Sequence, residues 1–341
     1  MIEGMTGFEP VCGRRYASEE NFDLVLGWGR RPTSNAAQTL SQKTNKPFVS
    51  IEDGFLRSIY PGRNEPPISL VIDWAGVHYD ATCASEFERC VETAAALNTP
   101  ETSARARAAM HLLRELALSK YNHAPRMSER KMGLPSRPSG GRVLVVDQTV
   151  GDGAIGYGMA NTQTFVDMLK TAKLENPGAQ IIVKTHPEVV SGQKRGYLSG
   201  ALGPDILVVD YAVNPWSLID AVDKVYVVSS LLGFEALLAG LPVSCFGAPF
   251  YAGWGLTQDR IELPRRIARP SVEQLFAAAY FDYGRYADPI ACEAIAFEDA
   301  ALKLAKSRDA SLGDWRKRGR QMMTGGVNQA FTLPPPALSL A

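Results

Sequence analysis

Three observations predict an α/β protein made of two Rossmann-like units with a cleft between them. Short β-rich runs alternate with helical stretches; a proline- and glycine-rich break interrupts the chain near its middle; and a second strand, loop and helix series starts after that break. With 341 residues, 45% of them hydrophobic, the chain can fill two cores of ordinary size. The expected boundaries are a first domain over 1–138, a second over 139–325 and a tail over 326–341. The tail, ending in FTLPPPALSLA, has too little to pack and is expected to be disordered.

In the first half, FDLVLGWG (22–29), KPFVSIEDGF (46–55) and ISLVIDWAGVHYD (68–80) read as strands of a parallel sheet ending in polar or glycine-containing loops, where ligands of open α/β sheets sit. From Thr102 to Lys120, the positions Met110, Leu112, Leu113 and Leu116 follow helical spacing, with Thr102 or Ser103 as a cap. The run HAPRMSERKMGLPSRPSGGR that follows marks the domain boundary. The second half restarts with RVLVVDQT (142–149), a glycine loop, a helix to about Lys173, and the strand QIIVKTHP (180–187). DILVVDY, DKVYVVSS (223–230) and the helix LLGFEALLAG complete a second doubly wound unit.

Composition narrows the function. Lys plus Arg and Asp plus Glu number 36 each, so no net field favours a nucleic-acid partner. The five cysteines form no CxxC pair and read as reduced thiols of a cytoplasmic protein. No apolar run approaches the roughly eighteen residues of a membrane span, and MIEGMTGFEPV lacks the features of a secretory signal, so membrane contact would be peripheral.

Several strand ends carry candidate chemistry. Gly151–Gly156 reads G-D-G-A-I-G after a strand and matches the G-x-G-x-x-G loop of a dinucleotide site, which would make the protein an NAD-dependent oxidoreductase. That reading wants an acid for the ribose diol at the next strand end, where Lys184 and His186 stand instead. Asp152 also puts negative charge in the path of a pyrophosphate and better suits a catalytic carboxylate. Lys184 and His186, ahead of the strand-stopping Pro187, could bind a phosphate and help it leave, although a lone histidine there commonly just caps a turn. Ser229 and Ser230 precede a helix, so two hydroxyls and free amides can face one anion; a plain N-cap is the alternative. Glu235, one turn further, could reach ribose hydroxyls or lie on the surface. Glu52 and Asp53 at a strand end could act as base toward an attacking hydroxyl, with Arg57 holding a sugar carboxylate, unless they form a solvated loop. Trp28, Tyr251 and Trp254 beside glycines either line a sugar site or pack beneath a loop. No His or Cys cluster shows zinc spacing; the Glu52 and Asp53 pair could attract magnesium, though that is the less favoured use.

In order and spacing, GWGRRPTS, EDGFLRS, PPISLVIDWAGVHYDAT, VVDQTVGDGAIGYG, KTHPEVVSGQKRGY, VSSLLGFEALLAG and GAPFYAGWGLT resemble the catalytic module of the KpsC family of capsule-type Kdo transferases, over roughly residues 22–305. The resemblance implies a GT-B-type fold, a CMP-β-Kdo donor, a Kdo-lipid or Kdo-oligosaccharide acceptor, and retention of anomeric configuration while a capsule linker is built. The EDG, HP and paired-serine elements are also similar to those of bacterial sialyltransferases, which use a CMP donor. That likeness puts His186, Pro187, Ser229 and Ser230 on the CMP phosphate. Retention by two displacements needs a carboxylate nucleophile. Asp152 is expected in that role, because its flanking glycines allow close approach of a sugar, with Asp147 as competitor. Glu52 or Asp53 would activate the acceptor hydroxyl, while Gln148, Lys184 and Arg57 would contact the Kdo carboxylate. No cofactor or metal is implied, since one phosphate can be met by an imidazole, two hydroxyls and a helix N-terminus.

Family members with full linker activity carry two such modules, and this chain has room for one. The basic run Lys303, Lys306, Arg308, Arg316, Lys317, Arg318 and Arg320 could rest on anionic lipid at about 1 kcal/mol per charge, or form a solvated helix face. Peripheral contact with the inner membrane and with capsule assembly proteins is the corresponding expectation. A CMP-sugar-binding assembly or export protein without turnover is the rival outside catalysis.

Overall fold

The computed structural model describes residues 2–9, 22–62, 65–97, 99–185 and 195–324, with side chains as far as residue 311. Two sheets carry the chain. The first has the order β1-β2-β3-β10, built from Val25–Trp28, Phe48–Asp53, Ser69–Asp73 and Gly284–Tyr286. The second has the order β6-β5-β4-β7-β8-β9, from Leu207–Val209, Gln180–Lys184, Arg142–Val146, Lys224–Val227, Val243–Cys245 and Gln258–Asp259. All its pairings are parallel, and counted from β4 the order is 3-2-1-4-5-6, that of a Rossmann sheet. Its central strand RVLVV is buried along its whole length, as expected where both faces are covered.

The first sheet departs from the parallel reading. β1 and β2 run parallel, but β3 is antiparallel to both β2 and β10. β10 is supplied by residues 284–286, so the chain returns to the first sheet after completing the second. Three residues, GRY, carry no pattern that could announce this in the sequence. The run expected as a strand over 68–80 stops at Asp73, whose Oδ1 accepts the amides of Ala75, Gly76 and Glu86. That carboxylate turns the chain outward, and residues 74–80 become a loop carrying His78 and Tyr79. The predicted long helix runs over Pro100–Glu115 and starts earlier than expected, because Thr99 accepts the Thr102 amide as N-cap. The tail expected to be disordered lies outside the described residues, as does the basic run beyond Arg308 so far as side chains are concerned. Among the described residues no helix is long and apolar enough to cross a membrane.

The two halves share one core, and Phe250 is its centre. Its ring stacks on Phe55 at 4.5 Å and meets Phe87 and Phe234 edge-on at 5.1 and 5.0 Å, joining residues from both sides of the linker. A polar seal lies beside it. Arg266, 2% exposed, donates to Glu88 at 2.9 Å and to the carbonyls of Pro249 and Ala252, while Arg265 reaches the carbonyls of Ala81 and Cys83. A buried pair of this kind is costly to break from one side.

Glu235 belongs to this interior. The helix Leu231–Leu238 is apolar nearly all round and buried on most of its faces, which is why a carboxyl within it is also enclosed. Its Oε1 has no hydrogen-bond partner among the described residues, and burial pushes its pKa up to about 8 against a partial opposing contact with Ser119. A proton is thus bound more tightly in the folded protein. The associated stability is complete below pH 4.5 and is lost as pH rises through about 8.

Two outcomes follow from this packing. Phe250→Ala should destabilise the protein by about 3–5 kcal/mol in urea melts and Phe250→Leu by clearly less; a cost no larger than that of a surface substitution would show that the halves do not depend on this ring. Glu235→Gln should flatten the decline of Tm between about pH 5 and 9, and an unchanged slope would show that the carboxyl titrates normally.

Candidate active site

In a sheet of order 3-2-1-4-5-6, the crevice opens where the strand order reverses, here between β4 and β7. The residues beyond those two strands are joined directly. The Gln148 amide donates to Ser229 Oγ at 3.1 Å and accepts from the Ser229 amide at 3.0 Å. Ser230 caps the helix Leu231–Leu238, accepting the Leu232 amide at 3.3 Å, and its carbonyl is held by the Tyr251 hydroxyl. Both serines are half-buried, so their hydroxyls and the first turn of that helix can meet an anion from the crevice. The partnership with Ser229 occupies one face of the Gln148 amide, which narrows its expected role in gripping a sugar carboxylate.

Two acids follow β4 in opposite surroundings. Asp147 is buried; its Oδ1 accepts the amides of Gln148 and Leu198, and its Oδ2 has no hydrogen-bond partner among the described residues. Burial raises its pKa to about 6 despite those amides. A side chain at Gly196 would put its Cβ 2.1 Å from that Oδ2, so backbone packs over the carboxyl. Asp152 is exposed, and its Oδ1 accepts the Ala154 amide at 3.0 Å. It caps the short helix Gly153–Tyr157, which spans five residues.

That short helix is the bridge to the first sheet. The Tyr157 carbonyl accepts the Ala81 amide at 2.9 Å, and the Tyr157 ring lies 6.2 Å from that of Tyr79. Tyr79 in turn accepts the Arg30 amide at 2.8 Å, and its hydroxyl faces the Glu52 carboxylate across Gly29. A Cβ at Gly29 would come within 2.3 Å of Tyr79 Oη and 2.5 Å of Glu52 Oε2, and φ there is +48°, so glycine is required twice over. Glu52 Oε1 accepts the Trp28 indole at 2.8 Å and the Asp53 amide at 3.0 Å. Asp53 is instead neutralised, 2.8 Å from Arg57 Nε in a largely buried ion pair whose angles fall short of a straight hydrogen bond. Arg57 also donates to Ser58.

Other expected residues are placed less favourably. Lys184 is buried, and its ammonium donates to the carbonyls of Thr185, Val209 and Tyr211 at 2.7, 3.3 and 3.2 Å, leaving no donor for a sugar carboxylate. Burial lowers its pKa to about 8. Glu235 points into the core rather than the crevice. Tyr251 and Trp254, 0% and 1% exposed, pack beneath a loop, the plainer of the two expectations for them. Trp28 orients Glu52. His186 and Pro187 lie outside the described residues. Among the described residues no three His, Cys, Asp or Glu side chains converge as metal ligands.

Sequence reading missed the stretch Ser119–His123. Read as a helix end and the start of a linker, it instead reaches residues of both halves. Ser119 meets Glu235, the Lys120 carbonyl accepts the amides of Arg57 and Ser58, Tyr121 lies under the Arg57 guanidinium, and His123 stacks on Tyr60 within reach of the Lys184 charge. The available signal was a run of polar side chains, SKYNH, where a mere linker would need none.

Known proteins fit this arrangement. Of the solved structures, the β-Kdo 2,4 transferase of Thermosulfurimonas dismutans KpsC superposes with a TM-score of 0.82 at 39% identity, covering 89% of this chain and 93% of that one. The β-Kdo 2,7 transferase of the same KpsC gives 0.63 at 30% identity, over 87% and 91%. The capsule polysaccharide modification protein LipA of Neisseria meningitidis serogroup B is 44% identical over 293 residues, 83% of this chain and 41% of LipA. The lipopolysaccharide-processing protein LpsZ of Rhizobium meliloti is 36% identical over 286 residues, 83% of this chain and 64% of LpsZ. The chain therefore spans less than half the length of LipA. Residues 23–286, most of the chain, match the family described as capsule polysaccharide biosynthesis protein, and the chain belongs to that family.

Proposed function

We propose that the protein is a retaining β-Kdo glycosyltransferase of the GT-B type, moving Kdo from CMP-β-Kdo to a Kdo-terminated acceptor during synthesis of a capsule linker. The observation that carries this reading is the match to the KpsC 2,4 transferase over nearly its whole length; the contact between Gln148 and Ser229 beyond β4 and β7 supports it. The weaker match to the 2,7 transferase favours a 2,4 linkage.

In the proposed first step, the Asp152 carboxylate attacks the anomeric carbon as the bond to the CMP phosphate oxygen breaks. Ser229, Ser230 and the N-terminus of the helix Leu231–Leu238 stabilise the departing phosphate, with His186 as the expected further donor. In the second step, Glu52 takes the proton of the acceptor hydroxyl, whose oxygen displaces Asp152 and restores the original configuration. Asp152 is preferred to Asp147 because a nucleophile must reach the sugar, and only Asp152 is exposed. Glu52 is preferred to Asp53 because, among the described residues, it has no ion pair while Asp53 is paired with Arg57. No metal or cofactor enters these steps.

The dinucleotide alternative is weakened by the same geometry. The glycine loop leads into a helix of only five residues with a carboxylate at its head. A non-catalytic CMP-sugar-binding protein of capsule assembly or export would keep the crevice but would not need the Trp28, Gly29 and Tyr79 frame around Glu52. Cytoplasmic placement, with peripheral contact at the inner membrane, would bring the enzyme to a lipid-linked acceptor.

Three measurements test the reading. CMP but not NAD should stabilise the protein, by about 2.7 kcal/mol at a hundredfold its Kd. Mass spectrometry after incubation with CMP-Kdo should find a covalent sugar on Asp152; an adduct elsewhere would refute that assignment. Glu52→Gln should still form the adduct yet transfer roughly 10²- to 10⁴-fold more slowly to acceptor, whereas undiminished transfer would remove Glu52 as the base.

A further inference from the structure

The stretch Ala117–His123 crosses between the halves, and its backbone is fixed from both sides. From the second half, Asn214 donates to the Ala117 carbonyl at 2.8 Å and Trp216 Nε1 to the Leu118 carbonyl at 2.8 Å. From the first half, Arg57 and Ser58 amides both donate to the Lys120 carbonyl at 3.2 Å. Asn122, 0% exposed, closes the turn by accepting the Ser119 amide and donating to the carbonyls of Ser58 and Ser119. A segment held this tightly presents its outward side chains in fixed positions.

Lys120 is the cation it presents. The residue is half-buried; its backbone carbonyl holds the Arg57 and Ser58 amides, and its charge lies within reach of His78. The His78 ring is caged by Phe55, Phe250 and Tyr283, and its Nδ1 is buried without a partner among the described residues. Burial and the Lys120 charge keep that imidazole neutral, its pKa falling to about 3, so His78 offers no anion. The neighbouring arginines have carboxylates of their own: Arg30 with Asp80, Arg57 with Asp53, Arg265 and Arg266 with Glu88. Among the described residues, no ion pair involves Lys120. A half-buried ammonium without a counter-charge is unfavourable until an anion joins it.

We propose that Lys120 forms a carboxylate-binding subsite between the two sheets, taking the acid group of a sugar acid. This rests on the transferase reading and deepens it: donor and acceptor each carry a carboxylate, and Lys184 and Arg57, the cations expected to meet one, are already engaged. The chemistry is shared by both sources, so the experiment separates them.

Wild type, Lys120→Met and Lys120→Arg are compared in thermal shift with CMP, in thermal shift with CMP-Kdo, and in transfer to a Kdo-terminated acceptor. CMP lacks the sugar carboxylate and should stabilise all three proteins equally, which also verifies their fold. If the subsite holds the donor, Lys120→Met should bind CMP-Kdo roughly tenfold or more weakly. If it holds the acceptor, donor affinity should persist while the acceptor KM rises by a similar factor. Lys120→Arg, which keeps the charge, should recover much of either loss. Donor affinity and acceptor KM both within about twofold of wild type in Lys120→Met would overturn the subsite and leave the transferase reading intact. A wild type that responds to neither CMP nor CMP-Kdo would instead refute the transferase reading, and the subsite with it.

Discussion

The relative position of the two sheets is the constraint on which the site depends, and the Phe250 contact sets it. One ring touches Phe55 and Phe87 from the first half and Phe234 from the second, so the strand ends on either side of the crevice are registered through a single packed cluster. Interiors packed at crystal-like density do not deform gradually. The Arg266 and Glu88 pair adds directionality to this apolar contact, because a guanidinium that also binds two carbonyls tolerates little rotation. β10 works in the same sense, tying the end of the second half back into the first sheet through β3.

Burial then sorts the ionisable groups around the crevice into two kinds. Glu235 and Asp147 are pushed toward their protonated forms, His78 toward its neutral form, and Lys184 toward lower basicity, in each case mainly by desolvation. Groups at the rim keep water or a partner: Asp152 caps a helix in solvent, and Glu52 accepts two neutral donors. Of the buried groups, Glu235 and His78 are held neutral near pH 7, while the Lys184 ammonium, lowered only to about 8, is held by backbone carbonyls. Among the described residues Lys120 has no ion pair, which is why its position carries weight.

Much of this was legible in the sequence, and the failures have physical causes. The parallel second sheet was readable because buried central strands are continuous apolar runs, RVLVV above all, and because glycine and proline close its helices. The first sheet was only half readable, since direction is not encoded in a strand's own residues and β10 has three of them. The placement of Gln148, Ser229 and Ser230 just beyond β4 and β7 was readable because strand ends follow from the fold. The roles of Lys184 and Arg57 were harder to read because a cation's type says nothing about whether backbone carbonyls or a neighbouring acid already hold it. Lys120 and His78 went unnoticed for the converse reason. Each sits in a segment with no regular pattern, and only long-range packing brings the two together.

The contrast between Asp147 and Asp152 shows how one strand end can carry two acids without confusing their tasks. They stand five residues apart in sequence, yet one is enclosed by the Gln148 and Leu198 amides and the Gly196 backbone, while the other sits beyond a glycine turn at the surface. A carboxyl enclosed in this way holds its proton up to about pH 6. Its two amide contacts fix the chain leaving β4, and with it the start of the loop that carries Asp152. An acid exposed at the head of a short helix is approachable. Environment thus separates the two acids, enclosing the first and leaving the second open to solvent, and on the proposed reading only the second is placed to act as nucleophile.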